Sequence, residues 1–344
     1  MKKLNPARYL SILLGVFLVA AILVFSLSSC SGGNDESAPE SDSSKTETAL
    51  TVKVAGLKGP TSIGLVKLME ENENKTSKNS YKFTIAGSAD EITPKFIKGD
   101  FDIAAIPANL AAVLYNNTEG QIKVIAINTL GVLYIVSKSV EINSLEDLKG
   151  KTIYATGKGS TPEYGLKYLL EQNNISPESD LTIEWKSEPT EAVALLSAQE
   201  TGIAMLPQPY VTVAQNAVEG LEIAINLNDE WNKLDNGSSF ITSVVAVRAD
   251  FAEKNPQAVA DFIAEASASA SFVAANVDDG AFLVDKYNIV AEAIAKKAIP
   301  YCNLTFITGG EMKDSLSGYL RILYEQNPAS VGGALPGDGF YYGS

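Results

Sequence analysis

Short β-rich runs alternate with helical patterns along most of the chain, and small or polar residues join the two. The first run, 50–55, passes through a turn containing Gly and Pro into an apolar helical pattern that begins at Ile63. The runs at 81–86 and 101–106 are followed by helical patterns in the same way. Strands that alternate with helices of this length predict β-α-β units built on a parallel sheet. The expected fold class is therefore α/β.

The alternation restarts near residue 137 and produces a second set of elements up to about residue 240. The pattern predicts a short, polar-capped helix over 144–151, and strands over 152–155, 181–185, 203–206 and 221–225. From residue 255 onward the pattern is mainly helical. Two crossings of the chain, near 133–137 and 241–247, would join two lobes as a double hinge. We predict that 51–136 together with 245–344 form lobe 1, and that 137–244 form lobe 2.

The N-terminal region has the layout of an export signal. Positive residues at the start precede an uncharged, mostly apolar run over 9–27, and Leu27-Ser28-Ser29-Cys30 ends it. This tetrapeptide resembles the lipobox of bacterial lipoproteins, in which the cysteine is diacylated and becomes the mature N-terminus. The resemblance implies a lipoprotein signal peptide over 1–30, with Cys30 as the lipidation site. A plain transmembrane anchor is the alternative, since the run is nearly long enough to span a bilayer.

The segment 31–50 is rich in Ser, Asp, Glu, Gly and Thr and offers almost nothing to bury. Such a composition predicts a disordered tether. A flexible coil of this length reaches about 25 Å. The expected location is therefore the extracytoplasmic face of the cell membrane, where a lipid-anchored body works with something in that membrane.

Composition excludes several classes of function. None of the 344 residues is His, which removes Ser-His-Asp catalysis and His-ligated zinc. Without 1–30 the chain carries 24 basic against 41 acidic residues, a net charge of −17 that predicts no nucleic-acid binding. Cys302 is then the only cysteine apart from Cys30, and we expect it to act as a small buried hydrophobe. No catalytic residue, metal site or cofactor is predicted.

Three segments resemble one family. SLEDLKGKTI at 144–153, GDFDIAAIPANLAAVL at 99–114 and the long helical return at 251–276 are similar to segments of the substrate-binding proteins of ABC importers. The closest subgroup is that of the sulfonate, nitrate and thiamine-precursor binding proteins. The resemblance implies a two-lobed type II periplasmic-binding-protein fold, with parallel-rich sheets and a double hinge, that closes on a small molecule.

The same resemblance implies the partners. They are a small-molecule ligand, an ABC permease with its ATPase, and the membrane through the lipid anchor; the protein itself is expected to be a monomer that performs no covalent chemistry. Two alternatives stay open at this stage, namely an enzyme built on the same fold and a surface adhesin or sensor.

Five strand-to-helix turns have the composition of a ligand site. In open α/β sheets, ligands lie outside the carboxyl ends of strands, against the free N–H groups of helix N-termini. Each turn could equally be an ordinary helix cap, since caps prefer the same residues. The turns are Gly59-Pro60-Thr61-Ser62, Gly87-Ser88-Ala89, Pro107-Ala108-Asn109, Gly159-Ser160-Thr161 and Pro207-Gln208-Pro209.

Residues near the two crossings complete the candidate set. Asn128, Thr129 and Tyr134 lie at the first crossing, and Trp185 and Tyr210 could stack on a ring or simply pack. The candidate ligand-binding residues are Gly59, Pro60, Thr61, Ser62, Ser88, Pro107, Asn109, Asn128, Thr129, Gly159, Ser160, Thr161, Gln208, Tyr210 and Ser243.

The arginines bear on the ligand's charge. Only Arg8, Arg248 and Arg321 occur, and none lies in the five turns. A bidentate clamp on a carboxylate, sulfonate or phosphate usually uses Arg. We therefore expect a neutral or cationic ligand, such as a heteroaromatic vitamin precursor. The alternative is a sulfonate or nitrate, held by helix N-termini together with Lys158.

Overall fold

The computed structural model describes residues 50–343. These residues belong to one compact unit, Thr48–Ser344. The predicted signal peptide, Cys30 and all of the predicted tether except Leu50 lie outside the described residues.

The strands of the described region form two sheets. They are β1 (Thr51–Leu57), β2 (Ser80–Ala86), β3 (Ile103–Pro107), β4 (Ile122–Leu130), β5 (Leu133–Lys138), β6 (Thr152–Thr156), β7 (Thr182–Lys186), β8 (Gly202–Pro207), β9 (Leu221–Asn226), β10 (Ile241–Arg248) and β11 (Leu304–Ile307). Sheet 1 has the order β11-β4-β10-β3-β1-β2, and sheet 2 has the order β7-β6-β8-β5-β9.

Helices follow most of the strands. They are α1 (Pro60–Ile63), α2 (Val66–Glu73), α3 (Ala89–Lys98), α4 (Ala108–Asn117), α5 (Thr161–Gln172), α6 (Pro189–Ala198), α7 (Tyr210–Ala217), α8 (Leu227–Lys233), α9 (Ala249–Lys254), α10 (Pro256–Ala275), α11 (Val277–Lys286), α12 (Glu292–Ala298) and α13 (Gly309–Gln326). The helix expected over 144–151 is a single 3-10 turn, Leu145–Leu148, with Asp147 accepting from the backbone N–H groups of Asn143 and Ser144.

The two sheets share one arrangement. In sheet 1, β1 pairs in parallel with β2 and β3, whereas β10 lies antiparallel between β3 and β4. In sheet 2, β6 pairs in parallel with β7 and β8, whereas β5 lies antiparallel between β8 and β9. Each sheet thus contains parallel β-α-β units plus one strand that arrives from a crossing of the chain. The chain changes sheets at 131–132 and again at 234–240, a few residues before the expected lobe boundaries.

One helix of the described region, α10, has the length and composition of a membrane span. Its residues Val259, Phe262, Ala266 and Val273 are buried in the apolar core beside sheet 1. This packing identifies α10 as a core helix, because a span would present its apolar side chains to lipid.

Cys302 lies in the same core and is fully buried, as expected from the sequence. Its Sγ donates to the carbonyl oxygen of Ala298 at 3.3 Å. Burial raises the pKa of the Cys302 thiol, because the apolar core disfavours the thiolate. Burial raises the pKa of the Tyr319 hydroxyl for the same reason.

Alkaline pH is therefore expected to destabilise the fold. When the pKa of a thiol or phenol is raised in the folded state, the unfolded state loses its proton at a lower pH than the folded state does. The fold therefore loses stability as the pH rises above the ordinary pKa of the group. For Cys302 the loss starts at the ordinary thiol pKa of 9.0 and amounts to about 1.4 kcal/mol per pH unit. Thermal unfolding between pH 7 and 11 measures the decline, and Cys302→Ala should make it less steep. An identical decline in Cys302→Ala would contradict this assignment.

Candidate functional site

Buried polar side chains are concentrated in the predicted turns and crossings. Among residues 50–343, fourteen polar or charged residues are buried, and eight of them belong to the candidate set. We call these eight the buried polar group: Thr61, Ser62, Asn109, Asn128, Thr129, Thr161, Gln208 and Ser243. They follow or end β1, β3, β4, β6 and β8, or lie in β10. This is the carboxyl edge at which α/β sheets bind ligands.

Asn128 connects three elements of sheet 1. Its Nδ2 donates to the carbonyl oxygen of Thr61 at 3.0 Å, and its Oδ1 accepts from Ser243 Oγ at 2.9 Å. The insertion of β10 makes this possible, because it places Ser243 between Pro107 on β3 and Thr129 on β4. The first turn, the third turn and both crossings therefore meet at one place.

Asn109 connects the two sheets. It begins the first turn of α4, beyond sheet 1, and its Oδ1 accepts from Oγ1 of Thr161, which begins α5 beyond sheet 2, at 3.2 Å. Its Nδ2 lies 3.5 Å from the carbonyl oxygen of Gly159 and donates to that of Ser330 at 3.0 Å. The third and fourth turns are thus in direct contact.

The fifth turn adjoins the first. Gly59 has φ 128°, a left-handed conformation that favours glycine, and a Cβ built there would lie 4.0 Å from Pro209 Cδ. Gln208 is 1% exposed, and its Oε1 accepts from Thr212 Oγ1 at 3.0 Å. Its backbone N–H donates to the carbonyl oxygen of Val132, between the two sheets.

Ser88 and Gly159 make the contacts of ordinary helix caps, and the Ser160 hydroxyl bonds within the turn before α5. The backbone N–H of Ser88 donates to Glu91 Oε1 at 3.2 Å, and that of Gly159 donates to Glu163 Oε2 at 2.6 Å. Ser160 Oγ donates to the carbonyl oxygen of Gly157 at 2.8 Å. None of the three is buried. Their contacts match the capping alternative, and their predicted contact with a ligand stays a prediction.

The aromatic candidates differ in environment. The Tyr134 hydroxyl donates to the carbonyl oxygen of Tyr301 at 3.3 Å, and burial raises the Tyr134 pKa to about 12. Tyr210 is buried at the start of α7, and its pKa is raised by burial and then by the nearby Glu188 carboxylate. Trp185 is half-buried on the edge strand β7 and packs against the core. Packing therefore accounts for Trp185, whereas Tyr210 lies close to the fifth turn.

Two hydroxyls of the buried polar group have no partner. Ser62 Oγ and Thr129 Oγ1 are buried, and no described residue forms a hydrogen bond with either of them. A buried polar group without a hydrogen bond costs about 1–3 kcal/mol. Orphaned polar atoms at the carboxyl edge of a sheet are what a site for a hydrogen-bonding ligand would contain.

The buried polar group contains no ionised side chain. Glu163 is the nearby buried carboxylate, but it accepts from Gly159 and forms an ion pair with Lys167 at 3.1 Å. The N-termini of α4, α5 and α7 lie at this edge and contribute free N–H groups and positive potential. Over residues 50–343 no group of His, Cys, Asp or Glu could hold a metal ion. The arrangement can bind acceptor atoms through neutral donors.

Tyr319 and Ser330 are contacts that the sequence analysis missed. The Tyr319 hydroxyl is fully buried near Thr161, and Ser330 contributes its carbonyl oxygen to Asn109. Both lie in the C-terminal part of the chain, for which the sequence predicts mainly helix. A backbone carbonyl has no signal in a sequence, whereas the apolar spacing of α13 could have indicated that Tyr319 is buried.

Comparison with known families finds one match. The model of a family described as "ABC transporter, phosphonate, periplasmic substrate-binding protein" matches residues 65–276. A protein of Brucella abortus (strain 2308), named as a binding protein, is 26% identical over 244 residues, which are 67% of this chain and 74% of that protein.

Two solved structures show the same architecture. An ABC transporter protein from Parabacteroides distasonis is 26% identical with a TM-score of 0.70, covering 85% of this chain and 98% of that one. The periplasmic aliphatic sulphonate binding protein of Escherichia coli is 15% identical with a TM-score of 0.66, covering 82% and 90%. The second likeness concerns the fold alone. Together they confirm the expected two-lobed α/β fold.

Proposed function

We propose that this chain, which belongs to the phosphonate periplasmic substrate-binding protein family of ABC transporters, binds a small oxyanion at the buried polar group. As a member of that family it is the substrate-binding component of an ABC importer. The expectation from the sequence is confirmed at that level. The position of the site and the class of ligand are our proposal.

One observation carries the proposed site. Eight neutral polar residues at the strand ends of both sheets are buried, and two of their hydroxyls have no hydrogen-bond partner in the described structure. These polar residues do not stabilise the apolar core, since each buried hydroxyl without a hydrogen bond lowers the stability of the fold. A ligand with acceptor oxygens would satisfy both hydroxyls and would be enclosed by both sheets.

The charges favour an oxyanion over the neutral or cationic ligand, such as a heteroaromatic vitamin precursor, that the sequence favoured. A cationic ligand would find no buried carboxylate free to pair with it, because Glu163 is already paired with Lys167 and Glu188, the acid near Tyr210, is exposed. An anion would accept hydrogen bonds from hydroxyl donors and lie against three helix N-termini. These groups would take the place of the arginine that an anion site usually contains. The description of the family as phosphonate substrate-binding proteins supports the same ligand class.

We further propose that Cys30 carries a lipid anchor and that residues 31–50 tether the binding protein to the outer side of the cell membrane. The support is the order of charged start, apolar run and Leu27-Ser28-Ser29-Cys30. The tether would keep a monomer close to the permease and its ATPase. Cys30→Ala should move the protein from the membrane to the soluble fraction; retention of this variant in the membrane would contradict the anchor.

A ligand panel tests the proposed binding. The soluble protein, residues 31–344, is unfolded thermally with methylphosphonate, ethanesulfonate, phosphate, nitrate, a thiamine pyrimidine and amino acids. A ligand at a hundred times its Kd stabilises by about 2.7 kcal/mol, which raises the unfolding temperature of a protein this size by about 4 °C. We expect the shift with a phosphonate or sulfonate, and recovery of the ligand unchanged. A shift with the pyrimidine alone would overturn the oxyanion proposal, and a chemically altered ligand would favour an enzyme.

A further inference from the structure

A polar pocket of about 280 Å³ lies beside the fifth turn, between α7 and the segment around the end of α12. We call it the Lys297 pocket; its polar lining is Gln208, Thr212, Gln215, Asn216, Lys297 and Tyr301. α7 packs beside sheet 2 through Val211 and Ala214, whereas α12 packs in the core beside sheet 1. The pocket is therefore shared between the two halves of the fold.

Lys297 contributes the only formal charge of this lining. Its Nζ donates to Asn216 Oδ1 at 3.2 Å, and no carboxylate of the described residues forms an ion pair with it. The neighbouring Lys296, in contrast, forms an ion pair with Asp278 at 2.6 Å. An ammonium has three N–H donors. Lys297 thus has donors left for an anion, and no acid in the lining competes for them.

The floor of the pocket connects it to the buried polar group. Gln208 belongs to both the pocket and the buried polar group. Its Oε1 accepts a hydrogen bond from Thr212, which is 4% exposed. A buried amide side chain therefore lies where the two sites adjoin. Exposed Ile223 and Tyr301 lie at the outer rim and offer apolar contact to a short carbon chain.

We infer that the Lys297 pocket binds a second acidic group of the ligand, a carboxylate joined by a short chain to the oxyanion head. This inference rests on the proposed function, since it places the head at the buried polar group. The pocket volume equals that of about nine water molecules, enough for a carboxylate and a few methylene groups. The substrate class is thus a carboxyalkyl phosphonate or sulfonate.

Calorimetric titration of the soluble protein tests this class. Phosphonoacetate, phosphonopropionate and phosphonobutyrate are each compared with the alkylphosphonate of the same carbon number. At one chain length we expect the carboxylate to tighten binding about tenfold, the size of a charge-assisted hydrogen bond. Lys297→Met should abolish this gain and leave the alkylphosphonate Kd within about twofold. Lys296→Met is the matched control and should change neither Kd.

The outcomes separate the possible failures. Equal Kd values for the carboxylates and their alkyl partners would overturn the second subsite. An equal loss of affinity for both ligand series in Lys297→Met would also overturn it. That result would mean that Lys297 stabilises the contact with Asn216 between the two halves and does not bind the carboxylate. If no phosphonate or sulfonate binds at all, the proposed oxyanion site itself is wrong, and the inference fails with it.

Discussion

Replacing Trp231 with alanine is expected to lower the free energy of unfolding by about 4 kcal/mol, the usual cost of removing a large buried aromatic side chain. Trp231 is fully buried and stacks on Phe240, with ring centroids 4.9 Å apart and planes at 9°. Its ring also contacts Tyr168 at 4.9 Å and Tyr319 at 5.5 Å. The substitution therefore removes packing from α5, α8, α13 and the start of β10 together.

The Trp231 indole also has a hydrogen bond to lose. Its Nε1 lies 3.1 Å from Ser238 Oγ and 3.3 Å from the Ser238 carbonyl oxygen, and so connects α8 to the crossing that leads to β10. Thermal unfolding followed by circular dichroism should show a fall of about 6 °C. Trp185→Ala is the matched control, since Trp185 is half-buried on an edge strand and should cost much less. Equal losses in the two variants would contradict the central role of Trp231.

The burial of Trp231 could not be predicted from the sequence. The sequence suggests ring contacts for Trp185 and Tyr210 but none for Trp231, which lies on the seven-residue helix α8. A helix this short has little periodicity, so its buried face is set by tertiary packing. The partners of Trp231 come from residues 168, 240 and 319, and no local window contains them all.

The strands and turns were more predictable, because their signals are local. β2, β6, β8 and β9 lie within one or two residues of the predicted runs. Buried strands are continuous apolar runs, and Gly, Pro and Ser mark their ends. The order of strands within each sheet did not follow from these signals. The position of β10 between β3 and β4 brings Ser243 to Asn128, and this pairing depends on long-range topology.

The candidate site was predicted as a set of turns but not as a network. Thr61, Asn109 and Thr161 were named from composition, and the structure joins Asn109 to Thr161 directly. Composition could not separate these residues from Ser88 and Ser160, whose contacts are local ones at the starts of α3 and α5. The two groups use the same residue types, and only burial distinguishes them. Lys297 was missed because its neighbours in the pocket lie about eighty residues away in sequence.

The double variant Ser62→Ala, Thr129→Val is expected to weaken oxyanion binding about a hundredfold. Each hydroxyl would donate to a charged ligand, and such hydrogen bonds contribute about 1.5–3 kcal/mol each. Two of them give at least about 3 kcal/mol, and each 1.4 kcal/mol is a tenfold change in Kd. The measurement is calorimetric titration with the phosphonate or sulfonate that gives the largest thermal shift in the panel.

Stability should move differently from affinity in this variant. Ser62 Oγ and Thr129 Oγ1 form no hydrogen bond within the described structure, so their removal breaks none. Replacing an unpaired buried hydroxyl with an apolar group of similar shape is neutral or stabilising. Without ligand, the double variant should therefore unfold at the same temperature as the parent protein or slightly above it. This combination separates a binding role from a structural one, because a structural role would lower both quantities.

Thr242→Val provides the matched control for the same change. Thr242 Oγ1 is a third buried hydroxyl without a partner, but Thr242 is not one of the eight residues of the buried polar group. Its replacement should leave both affinity and stability close to those of the parent protein. If the double variant binds as tightly as the parent, the orphaned hydroxyls do not contact the ligand. If Thr242→Val weakens binding as much, the ligand site extends along β10 beyond Ser243.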